Sequence, residues 1–427
     1  FLDTLGVASI LPFMAVLTNP EIIETNIILN SLFLYSETFG INDQQEFLFG
    51  LGIMVFVLLV TSLGFKALTI FVQDRFVYMR EYSISKRLVE GYLHQPYSWF
   101  LNRNSSDLGK NILSEVTEVI AKGIHPFILL IANSIVTISL VLLLFITDPK
   151  LALIVGSLLG LAYFSIYSIS RNYLEKIGNE RFENNKDRFT LVSEAFGASK
   201  EVKFGRLERY YSKRFSRTAQ IYAKSNTSAA IIANLPRFAL EAVAFGGVIM
   251  LILYLMTIKG DFVSSLPIIC LYVFAAYRLM PAIQQIYRSL TQLRFSNKAI
   301  KTLSENLNSL STVKIKKSQN KLPFKKSINL RNIDYSYPNS LKASLSDISI
   351  EIKAKSCVGL VGVTGSGKTT IIDIILGLLE PQKGELEVDG QIINNQNINQ
   401  WQQSIGYVPQ FIYLSDDTVA ANIAFGV

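Results

Sequence analysis

The sequence predicts a membrane α-helical domain followed by a C-terminal α/β domain of the phosphate-loop type, truncated after its first part. Three observations predict it. Half of the 427 residues are hydrophobic, and they gather into runs of about 20, the length that crosses a bilayer. The segments between those runs differ sharply in charge. Near the end stands Gly362-Val363-Thr364-Gly365-Ser366-Gly367-Lys368-Thr369-Thr370, which fits the phosphate-binding pattern G-x-x-x-x-G-K-[ST].

Six apolar spans are expected: a truncated one at Phe1–Leu17, then about 47–72, 125–147, 151–170, 236–258 and 264–293. The last is longer than a bilayer needs and continues into the cytoplasm. Residues 18–46 hold no Lys or Arg but carry Glu21, Glu24, Glu37, Asp43 and Glu46. Residues 73–124 and 171–235 are long and rich in Lys and Arg. Basic loops stay on the cytoplasmic side. Residues 18–46 therefore face outward, and the phosphate-loop domain lies in the cytoplasm, where ATP is. The expected location is the inner or plasma membrane, multi-pass.

The net charge of +8 does not point to nucleic acid. The basic residues lie between apolar spans, where they suit anionic lipid headgroups, so membrane lipids are the expected partners. Cys270 and Cys357 are far apart in apolar runs and imply no disulfide framework. The chain starts at Phe1 inside an apolar run, with no cleavable signal peptide in view.

The long loops read as helix, because residues 73–95 and 171–224 contain few breakers. Helices of about 25 residues reach nearly 40 Å beyond the membrane. Breaks are expected at Gln95-Pro96 and around Gly197 and Gly205. Residues 305–327 are polar and Lys-rich and read as a linker, dividing a transmembrane domain at 1–304 from a nucleotide-binding domain at 328–427.

The apolar run Cys357–Val361 reads as a buried strand, and the helix after the loop begins near Ile371. In that setting Gly362, Thr364, Gly365, Ser366 and Gly367 let backbone N–H groups curl around phosphate oxygens at a helix N-terminus. Lys368 reaches the β- and γ-phosphates of ATP, Thr369 holds Mg2+, and Thr370 completes the loop. Two further features support the motif. Ile333-Asp334-Tyr335-Ser336-Tyr337-Pro338 ends in an aromatic–Pro pair, and Gly406-Tyr407-Val408-Pro409-Gln410 puts a glutamine after an apolar strand.

With these motifs the chain resembles the ABC transporter family, in particular its six-span exporter-type half-transporters. The resemblance implies that Tyr337 stacks on adenine and that Gln410 approaches Mg2+ and the attacking water. It implies a homodimer, since each ATP in the family sits between two subunits. The run Leu414–Gly426 also matches the family. Tyr97–Asp107 and Glu194–Gly205 resemble its short cytoplasmic coupling helices, with Trp99 and Phe100 placed to plug a groove.

The membrane part carries a narrower resemblance. Asp3-Thr4-Leu5-Gly6, Leu11-Pro12-Phe13, Leu235–Glu241 and Tyr277-Arg278-Leu279-Met280-Pro281 look like the PglK-type branch, flippases of lipid-linked oligosaccharides. It implies an amphipathic lipid-linked substrate. Charges in spans are costly, so Lys66, Arg237 and Arg278 are candidate substrate residues. Two readings stand: a cationic wall gripping a pyrophosphate, or side chains snorkelling to headgroups, with an i,i+4 pair between Arg237 and Glu241. Where the branch has a second arginine in the sixth span, this chain has Gln285, with Arg288 one turn later.

No LSGGQ-type signature, no strand ending in Asp-Glu and no later switch histidine follow Gln410. The parent protein is thus expected to be an ABC-type ATPase, and residues 1–427 by themselves to be inactive. Export of a peptide, a drug or lipid A is the second reading within transport. An ATP-binding membrane regulator that moves nothing is the reading from another class.

Overall fold

A computed structural model describes residues 2–38, 43–259, 266–310, 321–338, 340, 342–410 and 412–424. The turn at 260–265, residues 311–320 of the Lys-rich linker, and Phe425 and Gly426 of the last family run lie outside the described residues. The chain forms two compact units, Phe1–Gly91 with Ser105–Leu310, and Tyr92–Asn104 with Ser311–Val427.

Ahead of the strands the order is α1 (Leu2–Ala8), α2 (Ile10–Thr18), α3 (Ile22–Thr25), α4 (Ile27–Glu37), α5 (Gln44–Leu93), α6 (Tyr97–Phe100) and α7 (Ser105–Lys110). A π-helical turn (Asn111–Glu115), α8 (Val116–Val119) and a second π-helical turn (Ile120–Ile124) lead into α9 (His125–Thr147). Then come α10 (Pro149–Gly197), α11 (Ser199–Phe204), α12 (Glu208–Lys259) and α13 (Leu266–Ser309). The breaks fall where Pro96, Gly197 and Gly205 stand. Proline suits the first turn of a helix, where its missing N–H has no partner to lose. Pro149 therefore opens α10 directly after α9, and the Asp148 carboxylate accepts the Lys150 N–H at 3.1 Å.

Among the described residues, Gln44–Leu93, Ser105–Thr147 and Ile269–Ser309 are long and apolar enough to cross a membrane. The expected fourth and fifth spans fall on α10 and α12, where several side chains lie outside the described residues. The membrane core joins α9 to α13 through Leu140, Leu144, Leu271, Ala275 and Leu279. Deeper in the first unit α10 crosses α13 closely. A Cβ on Gly178 would run into the carbonyl oxygen of Phe295.

In the second unit β1 (Ser327–Tyr335), β2 (Leu345–Lys353), β3 (Lys383–Val388) and β4 (Gln391–Ile392) form an antiparallel sheet in the order β2-β1-β3-β4. Helices α14 (Lys368–Ile375), α15 (Ile398–Gln402) and α16 (Val419–Ile423) complete it. Leu330, Ile333, Leu345, Ile374, Leu386 and Trp401 fill its core. The Trp401 indole N–H donates to the Ile375 carbonyl at 2.7 Å, fixing α15 on the end of α14. Asp389, after β3, accepts the N–H groups of Lys325, Lys326 and Ser327 at 2.6, 2.6 and 2.9 Å, which sets where β1 begins.

Two sequence expectations need correction. Cys357–Val361 and the apolar residues before Gln410 form no strand, and only single residues of each, Leu360 and Ile405, pack on the core. Both lie outside the antiparallel ladder and pair with no strand among the described residues. A strand needs a neighbour for its backbone and a layer for its side chains. With no paired neighbour, Val361 is 98% exposed and Val408 84%.

Candidate functional site

The phosphate loop is built by backbone geometry. Gly365 and Gly367 hold φ of 84° and 85°, a region in which a Cβ is strained. At Gly367 a Cβ would also meet the Ser344 carbonyl at 2.8 Å. The two turns carry the chain tightly into α14, whose first residue is Lys368. The Lys368 ammonium lies in the loop and donates to the carbonyls of Gly362 and Val363, both at 2.8 Å, and to the Ser366 hydroxyl at 3.3 Å. Gly362, Val363, Thr364 and Thr369 are exposed. The Ser366 N–H donates to the Val363 carbonyl at 3.1 Å, which tightens the loop. A glycine-bearing loop that ends at a helix N-terminus beside a lysine has the residue types that hold the phosphates of a nucleotide. The Thr369 hydroxyl fits a Mg2+ ion that takes its other oxygens from phosphate and water.

Tyr337 comes to the same place. Its hydroxyl is 3.1 Å from the Thr370 hydroxyl, and its ring stands edge-on to Tyr335 at 5.2 Å. Thr370 is buried, so this contact ties the aromatic–Pro turn to α14. Gln410 is exposed, and among the described residues no hydrogen bond joins it to Thr369. Tyr97 of α6 belongs to this unit. Burial, and after it the nearby Asp373, Tyr337 and Tyr407, push the Tyr97 phenol up. In the same segment the Trp99 ring lies 5.3 Å from that of Tyr92, and the Arg103 guanidinium sits 4.2 Å over Trp99. Sequence reading placed Trp99 and Phe100 near the nucleotide domain. It placed Tyr97 at the start of the same segment without naming Asp373, Tyr337 and Tyr407 as its neighbours, since that approach is tertiary.

The first unit holds a polar pocket of about 220 Å³ between α10, α12 and α13. Tyr163, Asn234, Arg237, Gln285, Tyr287 and Arg288 line it. The Tyr163 and Tyr287 rings lie 5.5 Å apart. Pro236 and Pro281 interrupt the hydrogen-bond ladders of α12 and α13 at its wall, as a helical proline must. Arg237 bonds Glu241 through Nε at 2.8 Å and keeps 63% of its side-chain surface exposed. The i,i+4 pair with Glu241 forms, and Arg237 also lines this pocket. Lys66 is exposed on α5 and Arg278 half-buried on α13; neither lines this pocket.

The description "ABC transporter transmembrane region" matches residues 25–262, and "ABC transporter" matches residues 345–423. The chain belongs to the ABC transporter family. The "ATP-dependent lipid A-core flippase" of Ralstonia nicotianae is 25% identical over 351 residues, covering 81% of this chain and 58% of the relative. The protein of that name in Cupriavidus metallidurans is 26% identical over 351 residues, with 80% and 57% covered. The "Glutathione/L-cysteine transport system ATP-binding/permease protein CydC" of Bacillus subtilis is 29% identical over 233 residues, with 52% and 39% covered. The chain thus spans a little over half the length of the flippases it matches. The solved structure of a bacterial Atm1-family ABC exporter with ATP bound superposes with a TM-score of 0.74 at 16% identity, covering 100% of this chain and 73% of that one. This ABC transporter chain therefore has the exporter-type membrane fold, followed by part of an ABC transporter domain that carries the phosphate loop.

Proposed function

We propose that the whole protein is a homodimeric, ATP-driven exporter of the inner or plasma membrane, with six spans per chain, that flips an anionic amphipathic lipid. The observation that carries this reading is the pocket between α10, α12 and α13. It sets Arg237 and Arg288 beside neutral hydrogen-bonding side chains in a membrane domain. Guanidinium groups bind phosphate oxygens in pairs, and Asn, Gln and Tyr side chains suit sugar hydroxyls. Lys66 and Arg278 lie outside this pocket, and their part in gripping the substrate is proposed on their residue type and their place in the second and sixth expected spans alone. The similarity to lipid A-core flippases favours a lipid over a peptide or a drug. Both a lipid-linked oligosaccharide and a lipid A-type molecule meet the chemical requirement.

In this reading ATP supplies the energy. Lys368 and the loop N–H groups hold its phosphates, Thr369 and Gln410 serve Mg2+, Gln410 also positions water, and Tyr337 packs on the base. The test is phosphate release by the full-length protein in proteoliposomes of neutral lipid. Addition of a lipid-linked oligosaccharide or a lipid A-type lipid is expected to raise the rate, and addition of a peptide or an uncharged drug is not. A rate indifferent to all of them would leave ATP binding without transport.

A further inference from the structure

The helix Ser105–Thr147 is continuous, yet it contains two π-helical turns, Asn111–Glu115 and Ile120–Ile124, separated by only the four residues of α8. A π turn carries an extra residue and survives where something else holds it. Here an ionic cluster touches both, fully buried at Arg181 and Glu115 and half-buried at Glu118 and Lys122. Arg181 of α10 is 1% exposed and donates to Glu115, in the first π turn, at 3.2 and 3.4 Å. It also reaches Glu118 of α8 at 3.5 Å. Asn185, one turn further along α10, donates to Glu115 at 2.9 Å and to the Ser114 hydroxyl at 3.0 Å. Lys122, in the second π turn, pairs with Glu118 at 2.8 Å and donates to Asn226 of α12 at 2.9 Å. Each π turn thus supplies an ionic member, and α8 supplies the carboxylate between them.

The arrangement is register-dependent. If one π turn relaxes to α, the helix on one side turns by about 100° and shifts by about 1.5 Å relative to the other. Glu115, Glu118 and Lys122 then cannot all keep partners on α10 and α12. Two discrete registers follow, one with the cluster closed and one with it open. Buried ion pairs contribute little net stability but are well suited to fixing register. The position along the chain matters too. Tyr92–Asn104 belongs to the nucleotide-binding unit, Ser105 is the first residue of the membrane unit after it, and α9 is apolar enough to span. We propose that residues 111–124 are a register switch, locked by Arg181, through which the nucleotide-binding unit drives α9. This rests on the transport reading for its purpose but not for its detection.

The experiment uses the full-length protein in proteoliposomes, with Cys270 and Cys357 replaced by Ser. Ser114→Cys and Asn185→Cys are introduced together and oxidised with and without ATP and Mg2+. The cross-link is expected to form without nucleotide and to fall severalfold with it, and Lys368→Ala should prevent the fall. A second variant deletes Ala121, an exposed residue of the second π turn. That deletion turns the π turn into α while leaving the faces on either side in register. It should keep the thermal midpoint and ATP binding but lose ATP-driven lipid movement. Deletion of Ile135, in a regular part of α9, should instead unfold the domain. A cross-link yield unchanged by ATP in protein that moves lipid would overturn the switch, as would wild-type lipid movement after the Ala121 deletion. A yield that responds to ATP in protein that moves no lipid would retain the switch and remove the transport reading.

Discussion

Arg181 and Arg237 are the same residue type on neighbouring long helices of one unit, and the structure uses them in opposite ways. Arg181 is 1% exposed, with its charge met by Glu115 and Glu118 from another helix. Arg237 has 63% of its side chain exposed and one partner on its own helix, and it faces a polar pocket with Arg288. A charge met on all sides across helices fixes how those helices sit. A charge met on one side at a cavity wall retains donors for a ligand. Burial and partner geometry, rather than residue type, separate a lock from a grip.

The comparison is most exposed to failure at Arg181. Arg181→Ala leaves Glu115 buried and unpaired, and losing one partner of a buried pair costs about 3–5 kcal/mol. The unfolding midpoint of the purified protein should drop accordingly. Replacing Arg181 by Met together with Glu115 by Leu should recover most of the loss, because both charges then leave together. Next in size is Gly178→Ala, which forces a methyl against the Phe295 carbonyl. Overpacking of this kind costs about 1–3 kcal/mol, read in the same unfolding assay.

Arg288→Gln should separate the two regions. Its effect on stability should stay within about 0.5 kcal/mol, as for other exposed substitutions. Its effect on the concentration of anionic lipid that half-stimulates phosphate release should be about tenfold, the loss of one charge-assisted contact. A large stability loss with unchanged lipid response would make Arg288 another lock. The smallest expected effect concerns Asp389. Burial acts to raise its carboxyl, but the N–H groups of Lys326, Lys325 and Ser327 outweigh it and hold the carboxyl below its usual range. A carboxyl lowered by folding adds stability above its unfolded value, about pH 3.9, and that stability is lost as pH falls through the folded value. Between pH 7 and pH 3 the midpoint of Asp389→Asn should therefore fall less than that of the wild type.

The turn geometry of the phosphate loop was legible in the sequence because it is local. Gly365, Gly367 and Lys368 act through their own backbone and one side chain, so their spacing states their geometry. The helix breaks at Pro96, Gly197 and Gly205 were legible for the same reason. Cys357–Val361 was misread because a strand is a relation between segments, and apolar composition does not supply the neighbour. Arg181 with Glu115 and Arg288 with Tyr163 were not legible, since each pair joins helices far apart in the chain. The π turns left no mark, because an extra residue in a helix looks like any other residue until packing shows which face it displaces.

The central claim, that ATP at the Lys368 loop drives an anionic lipid across the membrane, is tested most directly by flipping. Full-length wild type and Lys368→Ala are reconstituted with a fluorescent lipid-linked oligosaccharide or lipid A-type lipid, and its appearance in the opposite leaflet is followed with and without ATP. The account predicts movement by the wild type only when ATP and Mg2+ are present, and none above empty liposomes for the variant. Equal movement by the two proteins, or movement indifferent to ATP, would contradict it.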